Sequence, residues 1–314
     1  MTLLMSTAPA IEAQQLGKRI GKTTLLAPCD LVVPRGAILA LIGHNGAGKS
    51  TLIKLLLNIV QPSDGHASVL GMPSTSLHGK AFTRIGYVSE NQEMPEWMTV
   101  SQLMSHLRPF YPHWNDAGLL EELELPPERK IEHLSRGMRM KTALASVLAF
   151  GPELLLLDEP FTGLDPAVRT EFIQTLLDRT HADDPAHATT IVISSHDLEE
   201  METFATHLAF LRNGELLFAE PMDSLLNRCR EVTVTFRDDV ASNVSAKLPE
   251  GCVAAEASGA MLRFVDLRVN IEDHEGAIRA LLPGAVHVQS EPMNLRAIFL
   301  ALNRNNRAEE RHHA

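Results

Sequence analysis

One stretch of nine residues constrains the fold of this chain more than any other. Residues 43–51 have the sequence GHNGAGKST, which matches the phosphate-binding pattern G-x-x-x-x-G-K-[ST] in full. The apolar residues 37–42 (AILALI) before it predict a buried strand, and residues 52–57 (LIKLLL) after it predict a helix. The sequence therefore predicts a strand, a glycine-rich loop and a helix, an arrangement that holds phosphate groups.

Each part of this loop has a predicted chemical role. Glycine lets the backbone approach a ligand closely and adopt positive φ, so that N–H groups face the phosphate oxygens. Lys49 is expected to supply charge for the β- and γ-phosphates, and Ser50 a hydroxyl for Mg²⁺. The predicted nucleotide-binding residues here are Gly43, His44, Asn45, Gly46, Ala47, Gly48, Lys49, Ser50 and Thr51.

Composition excludes several other classes of protein. The net charge of −11 over 314 residues argues against wide contacts with nucleic acid, so no nucleic-acid partner is expected. Three widely spaced cysteines exclude a disulfide framework or a C-x-x-C zinc site. No apolar stretch approaches the roughly 20 residues that span a bilayer, and no secretory signal is evident. Any work at a membrane is therefore expected to rely on another polypeptide.

The chain is predicted to contain two domains of unequal size. Residues 11–230 alternate strands and helices, which predicts an α/β domain with a largely parallel sheet. Within it, residues 99–134 predict a helical insertion that starts at a Thr99 N-cap and is broken by prolines. The pair Asn213-Gly214 between apolar runs predicts a β-hairpin.

A small C-terminal α+β domain is predicted over residues 231–303. Val232, Val234 and Phe236 alternate with polar residues, which is typical of a half-buried strand. Further strands are expected near 261–265 and 285–289, and helices near 271–282 and 294–302.

Two carboxylates follow the apolar run of residues 154–157, about a hundred residues after the loop. Asp158 is placed to hold Mg²⁺, and Glu159 to polarise the water that attacks the γ-phosphate. A plain strand end with solvated acids is the alternative.

Residues 134–138 (LSRGM) precede a helical run, and a serine N-cap before glycine presents N–H groups to an anion.

With these landmarks in order, residues 11–230 resemble the ATP-binding cassette (ABC) ATPases. The family's Walker A, signature, Walker B, D-loop and switch-histidine motifs match residues 43–51, 134–138, 154–159, 163–166 (GLDP) and 194–196 (SSH). Within that family the chain looks like the exporter ATPases of antibiotic and multidrug efflux. Residues 292–300 (PMNLRAIFL) also look like theirs.

The resemblance implies a P-loop NTPase fold that hydrolyses ATP with Mg²⁺. It implies a homodimer, or a pair with another ABC ATPase, clamped face to face.

In such a dimer, Ser135 and Gly137 would contact the γ-phosphate of the other subunit, and Asp165 would lie in the D-loop between them. His196 would hold the γ-phosphate and the attacking water in its own subunit. Asp165 also fits a helix N-cap before Pro166. The implied catalytic residues are Lys49, Glu159 and His196.

The sequence departs from the family pattern at three places. Ile20 stands where the family usually has an aromatic residue that stacks on adenine. Glu90 stands at the usual Q-loop glutamine and is the third predicted metal ligand beside Ser50 and Asp158, with Gln92 as its alternative. The signature has Arg136 for glycine and Met138 for glutamine; Arg136 is either a solvated or a phosphate-facing charge.

The expected function is the ATP-hydrolysing subunit of an exporter, peripheral on the cytoplasmic face and coupled to a separate transmembrane permease. The first alternative is a soluble ABC ATPase that remodels a protein or nucleic-acid complex. A module that senses nucleotide without turnover is the second. Glu159 and His196 argue against the second alternative, because a mere sensor needs neither a general base nor a switch histidine.

Overall fold

A computed structural model describes residues 8–180, 188–238, 241, 248–249, 251–268 and 274–302 of the chain. The chain divides into two compact units, Met1–Ala219 and Glu220–Ala314. This division falls about ten residues before the boundary near 230 given above, and the two-domain assignment itself stays a prediction. Each unit is described by itself.

The first unit contains two sheets and the helices between them. Its strands are β1 (Ile11–Ile20), β2 (Thr23–Val33), β3 (Ile38–Ile42), β4 (Asp64–Val69), β5 (Met72–Pro73), β6 (Ile85–Ser89), β7 (Leu154–Asp158), β8 (Thr190–Ser195), β9 (His207–Arg212) and β10 (Glu215–Pro221), the last of which runs into the second unit. Its α-helices are α1 (Lys49–Leu56), α2 (Val100–Leu107), α3 (Leu119–Glu122), α4 (Arg136–Leu148), α5 (Pro166–Thr180) and α6 (Leu198–Glu202). Short 3₁₀ turns lie at Ser74–Ser76, Gly79–Thr83, Arg108–Phe110 and Ile131–His133.

The larger sheet has six strands in the order β10-β9-β3-β8-β7-β6. The pairs β9-β3, β3-β8, β8-β7 and β7-β6 are parallel, as the sequence predicts. Their register brings the strand ends together: Ile42 lies opposite Ser195, Asp158 opposite Ser194, and Ser89 opposite Asp158. The carboxyl ends of four neighbouring strands therefore meet at one edge of the sheet, where open α/β sheets bind ligands.

The smaller sheet of this unit was not predicted. It is antiparallel, in the order β2-β1-β4-β5. Its long strand β1 contains several register shifts, and Gln15 has a φ of 50°, so its side chains do not alternate regularly between the two faces. The pattern of period two that identifies a strand is lost for this reason. Helix α1 and both sheets contribute to one continuous apolar core.

The predicted hairpin and helix starts are confirmed. Asn213 and Gly214 both have positive φ, 49° and 82°, which the two-residue turn between β9 and β10 requires. At the start of α2, the Thr99 hydroxyl accepts a hydrogen bond from the Gln102 backbone N–H at 3.2 Å. The Gln102 side chain accepts one from the Thr99 N–H at 2.9 Å, which completes a capping box.

The second unit is a four-stranded antiparallel sheet with helices. It comprises α7 (Met222–Arg228), β11 (Arg230–Phe236), β12 (Cys252–Ser258), β13 (Met261–Asp266), α8 (His274–Leu281), β14 (Ala285–Pro292) and α9 (residues 295–302), with the sheet order β12-β13-β11-β14. Strand β12 was not predicted. The predicted helix 271–282 is found from His274 onward, and residues 271–273 and 303 lie outside the described residues. One face of the sheet forms a separate apolar core with α8.

Two further observations concern the apolar character of the helices and the cysteine thiols. Among the described residues, no helix combines the length and the apolar character needed to cross a bilayer. Cys29, Cys229 and Cys252 are free thiols, and burial raises the pKa of each to about 11. These thiols are therefore protonated at neutral pH and poor nucleophiles.

Phe264→Ala is expected to lower the free energy of unfolding by about 3–5 kcal/mol, because its ring is fully buried in the core of the second unit. Met261→Ala, on the same strand but 49% exposed, is the matched control and is expected to cost far less. Urea denaturation measures both. An equal loss for the two variants would contradict the packing described.

Candidate functional site

The glycine-rich loop joins the end of β3 to the start of α1 and turns through positions that only glycine fits. A Cβ at Gly43 would lie 2.3 Å from the Leu211 carbonyl oxygen, and one at Gly48 would lie 2.9 Å from the Leu25 carbonyl oxygen. Gly48 also has a φ of 106°, which disfavours any residue with a side chain. No side chain caps α1 at Gly48, so the first-turn N–H groups remain available to an anion.

The loop is supported from behind by the hairpin turn of β9 and β10. The Gly214 N–H donates to the Ala47 carbonyl at 3.0 Å, and the His44 ring Nε2 lies 2.9 Å from Asn213 Oδ1. The Gly214 carbonyl accepts from the Ala27 N–H at 2.7 Å. His44, a predicted binding residue, thus also connects the loop to a turn about 170 residues further along the chain.

Lys49 places its ammonium group inside this loop. The side chain is 4% exposed. It donates to the carbonyls of Gly43 at 2.6 Å and His44 at 3.2 Å, and its Nζ lies 2.9 Å from Glu159 Oε1. A buried charge needs such partners, and here they hold it at the centre of the phosphate-binding loop.

Asp158 lies at the end of β7 beside the start of α1. Its Oδ1 accepts hydrogen bonds from the Ser50 hydroxyl at 3.0 Å and the Ser194 hydroxyl at 2.7 Å. The Ser50 hydroxyl and the Asp158 carboxylate are oxygen ligands of the type that Mg²⁺ prefers. The donor set therefore fits the predicted metal, and Ser194 fixes the orientation of the carboxylate.

Glu159 is the most constrained acid of the site. Its backbone has a φ of 51°, which is uncommon for a residue other than glycine, and its N–H donates to the Ser194 hydroxyl at 2.8 Å. Its Oε2 lies 2.9 Å from His196 Nδ1 and accepts from the Thr162 hydroxyl at 3.2 Å. Three side chains, those of Lys49, His196 and Thr162, therefore orient one carboxylate.

The electrostatics of Glu159 keep it ionised. Burial raises the pKa of the carboxyl, but the ion pair with Lys49 and the hydrogen bond with His196 outweigh burial, so the pKa lies below the ordinary value for glutamate. The group is thus a carboxylate throughout the neutral range. This is the form that can accept a proton from water.

Lys49, Glu159, Thr162 and His196 line one cavity of about 370 Å³ at the carboxyl edge of the sheet. Gly43, His44 and Asp158, also predicted from the sequence, are not among the residues that line it. Most predicted loop residues are among its lining, together with Glu159, His196 and Glu90. The full lining is Leu25, Asn45, Gly46, Ala47, Gly48, Lys49, Ser50, Thr51, Glu90, Glu159, Thr162 and His196. Leu25 and Thr162 were missed. Thr162 lies three residues after Glu159 in the turn between β7 and α5, and this proximity in the chain is the only signal that could have indicated it.

The structure does not bring the signature and D-loop residues into this cavity. The Ser135 hydroxyl accepts from the Met138 N–H at 3.2 Å and caps α4, and Asp165 caps α5 by accepting from the N–H groups of Ala167 and Val168 at 3.1 Å. Both predicted N-caps are confirmed. Gly137, in the first turn of α4, is likewise absent from the cavity lining within one chain.

The three departures from the family pattern have visible consequences. Ile20 is 62% exposed, and no aromatic side chain is among the described residues that line the cavity. Arg136 is neither free in solvent nor in the cavity: its guanidinium donates to Glu90 Oε1 at 3.3 Å. Gln92, the alternative to Glu90, instead accepts from the Ser89 N–H at 3.2 Å.

Comparison with known proteins agrees with this geometry. Residues 26–162 match the ABC transporter family. The bacitracin transport ATP-binding protein BcrA of Enterococcus faecalis is 31% identical over 228 residues, which cover 71% of this chain and 73% of that protein. The iron(3+)-hydroxamate import ATP-binding protein FhuC of Bacillus subtilis is 32% identical, with 66% and 81% covered. The Nod factor export ATP-binding protein I of Cupriavidus pinatubonensis is 29% identical, with 93% and 90% covered.

A solved structure shares the fold. The ATP-binding subunit of an ABC transporter superposes with a TM-score of 0.63 at 26% identity, covering 69% of this chain and 91% of that one. The similarity in sequence and in fold leads to the same conclusion as the cavity. The chain belongs to the family of ABC transporter ATP-binding subunits, which are P-loop ATPases.

Proposed function

We propose that this chain hydrolyses ATP at the loop cavity to power export through a separate membrane permease. The observation that carries the proposal is the meeting of Lys49, Asp158, Glu159 and His196 at the mouth of one phosphate-binding loop. Such a set combines anion binding, metal binding and an oriented base within one chain.

The proposed binding step relies on the loop and α1. Backbone N–H groups of residues 43–51 surround the phosphates, and Lys49 supplies the positive charge. Ser50 and Asp158 would hold Mg²⁺, which would neutralise charge on the β- and γ-phosphate oxygens. Glu90, the third predicted metal ligand, is paired with Arg136 in this structure, and its role as a ligand stays a prediction. Because Ser194 already holds Asp158 in place, that ligand needs little rearrangement.

The proposed chemical step relies on Glu159. As a carboxylate held by His196 and Thr162, it orients a water molecule and accepts its proton as the oxygen attacks the γ-phosphate. Lys49 stabilises the negative charge that develops on the phosphoryl oxygens. His196, which lines the cavity beside Glu159, would hold both the γ-phosphate and this water.

The proposed active assembly has two subunits. Ser135 and Gly137 do not line the cavity of their own chain, and the start of α4 carries available N–H groups. In the proposed dimer, whether a homodimer or a pair with another ABC ATPase, these residues and Asp165 complete the site of the other subunit. ABC ATP-binding subunits dimerise and work with separate transmembrane subunits, and this assignment follows that pattern.

Export, rather than import, is the proposed direction. Two features support this direction: residues 292–300 look like those of the exporter ATPases, and the Nod factor export relative matches over 93% of this chain. The helical insertion is the proposed contact with the permease on the cytoplasmic face. It presents Phe110, which is 66% exposed, whereas Tyr111 stacks on Phe150 with ring centroids 4.1 Å apart.

Glu159→Gln is expected to lower ATP turnover by about 10²–10⁴-fold while ATP still binds, because the amide cannot accept the proton from water. ATP should also trap this variant as a closed dimer, which size-exclusion chromatography detects. Glu153→Gln, at the other end of β7 and paired with Arg84 and Arg35, is the control that keeps turnover. A Glu159→Gln enzyme with wild-type turnover would refute the general-base assignment.

Ile20→Tyr is expected to tighten ATP binding by at most about tenfold, since aromatic stacking adds roughly 0.5–1.5 kcal/mol. The wild type should discriminate poorly between ATP and GTP. Val32→Tyr, the control, adds the same ring at an exposed position on β2 and should change neither the affinity for ATP nor the affinity for GTP. Strong preference for ATP in the wild type would show that another group reads the base.

The chain is expected to sediment with membranes when it is co-expressed with the membrane protein encoded beside it. Phe110→Ala should release part of it to the supernatant, because the substitution removes exposed apolar area from the proposed contact. Ile59→Ala, the control, removes an exposed apolar side chain outside the insertion and should leave the chain with the membranes. A chain that stays in the supernatant with its membrane partner present would favour the remodelling ATPase instead.

A further inference from the structure

The ion pair between Glu90 and Arg136 joins the nucleotide cavity to the signature helix. Glu90 follows the last residue of β6, and Arg136 is the first residue of α4. The guanidinium Nη2 lies 3.3 Å from Glu90 Oε1, and the side chains are 40% and 49% exposed. Both residues stand where the family has uncharged ones, so the two departures from the pattern lie against each other.

Glu90 adds a negative charge to a cavity suited to a polyanion. It lines the cavity together with Lys49, Ser50 and Glu159. Lys49 and His196 lie against Glu159, and Ser50 and Ser194 donate to Asp158. The cation that contacts Glu90 is Arg136. Without that cation, the carboxylate would repel the phosphates of a bound nucleotide, since like charges a few ångströms apart near a protein surface interact by kilocalories per mole.

The position of Arg136 also needs an explanation, because a cation at a helix N-terminus is unfavourable. The first turn of α4 contains no acidic residue but two arginines, Arg136 and Arg139. The compensating carboxylates come from the loop after β6: Glu90 pairs with Arg136, and Glu96 pairs with Arg139 at 3.0 Å. The segment from Glu90 to Glu96 thus supplies the negative charge that the helix start lacks.

The D-loop leaves space for the guanidinium. A Cβ at Gly163 would lie 3.0 Å from Arg136 Cζ and Nη1, and Gly163 has a φ of 73°. Arg136 therefore packs over a glycine backbone while it contacts Glu90. The guanidinium therefore lies between two loops, the segment after β6 and the D-loop.

We propose that Arg136 is a positioning residue that compensates Glu90 beside the cavity and so sets the affinity for nucleotide. The inference rests on the proposed use of this cavity for ATP. It replaces both alternatives from the sequence, a solvated charge and a direct phosphate ligand, with a role exerted through Glu90.

Arg136→Ala is expected to weaken binding of adenylyl imidodiphosphate about threefold to fivefold, the scale of one exposed ion pair. Calorimetric titration with Mg²⁺ measures the dissociation constant. Glu90→Gln in the same chain should remove the deficit, so that the double variant binds as the Glu90→Gln variant does. Arg136→Lys should retain most of the affinity. In 1 M salt, where the Debye length is about 3 Å, the deficit should shrink.

Arg139→Ala is the matched control. It removes an arginine–glutamate pair from the same helix turn, but Glu96 does not line the loop cavity. Its affinity for the analogue should equal that of the wild type. A loss as large as that of Arg136→Ala would mean that the helix start, rather than Glu90, governs binding.

Two other outcomes would overturn the inference. If Arg136→Ala binds as tightly as the wild type, the pair has no influence on the cavity. If Glu90→Gln does not restore the affinity, Arg136 acts on the nucleotide directly. The proposed function itself is tested separately. If the wild type does not bind the analogue, and Lys49→Ala binds it no more weakly than the wild type does, the nucleotide site is refuted and not merely the role of Arg136.

Discussion

The buried ammonium group of Lys49 is the charge on which the site depends. Burial of an unpaired cation is costly, so the surrounding structure has to offer oxygen atoms at fixed positions. The carbonyls of Gly43 and His44 and the carboxylate of Glu159 do so at 2.6–3.2 Å. The parallel sheet makes this possible, because its register places the ends of β3 and β7 at one edge. Each anion that enters the loop therefore meets a charge that is already oriented.

Glu159 shows how one arrangement serves both folding and chemistry. The ion pair with Lys49 and the hydrogen bond with His196 lower its pKa and at the same time fix the direction of its carboxylate. The Ser194 hydroxyl accepts from the Glu159 backbone and donates to Asp158, so one small side chain links both acids. In the proposed mechanism, the first of these acids binds the metal and the second accepts the proton of the attacking water.

Sequence patterns predicted the parallel sheet, because strands alternate with helices along the chain. They also predicted the hairpin and the N-caps at Thr99, Ser135 and Asp165, because each of these depends on residues close together in the chain. The antiparallel sheet was missed, since bulges in β1 break its alternation. The partner of Arg136 was also missed. It lies 46 residues away, and only the folded chain brings the two loops together. For the same reason, Leu25 carries no signal in the sequence, although its carbonyl limits the space at Gly48.

The hairpin turn at Asn213 and Gly214 has a consequence for how this chain can vary. Surface turns usually tolerate insertions and exchanges, since little packs against them. This turn is expected not to tolerate such changes. Its backbone is hydrogen-bonded to the phosphate-binding loop, and a Cβ at Gly214 would lie 3.1 Å from the Leu25 carbonyl oxygen. A change of one residue at this turn would alter the shape of the nucleotide cradle without touching a nucleotide. The phosphate-binding loop thus restricts substitutions at a place that looks, from sequence alone, like an ordinary loop tip.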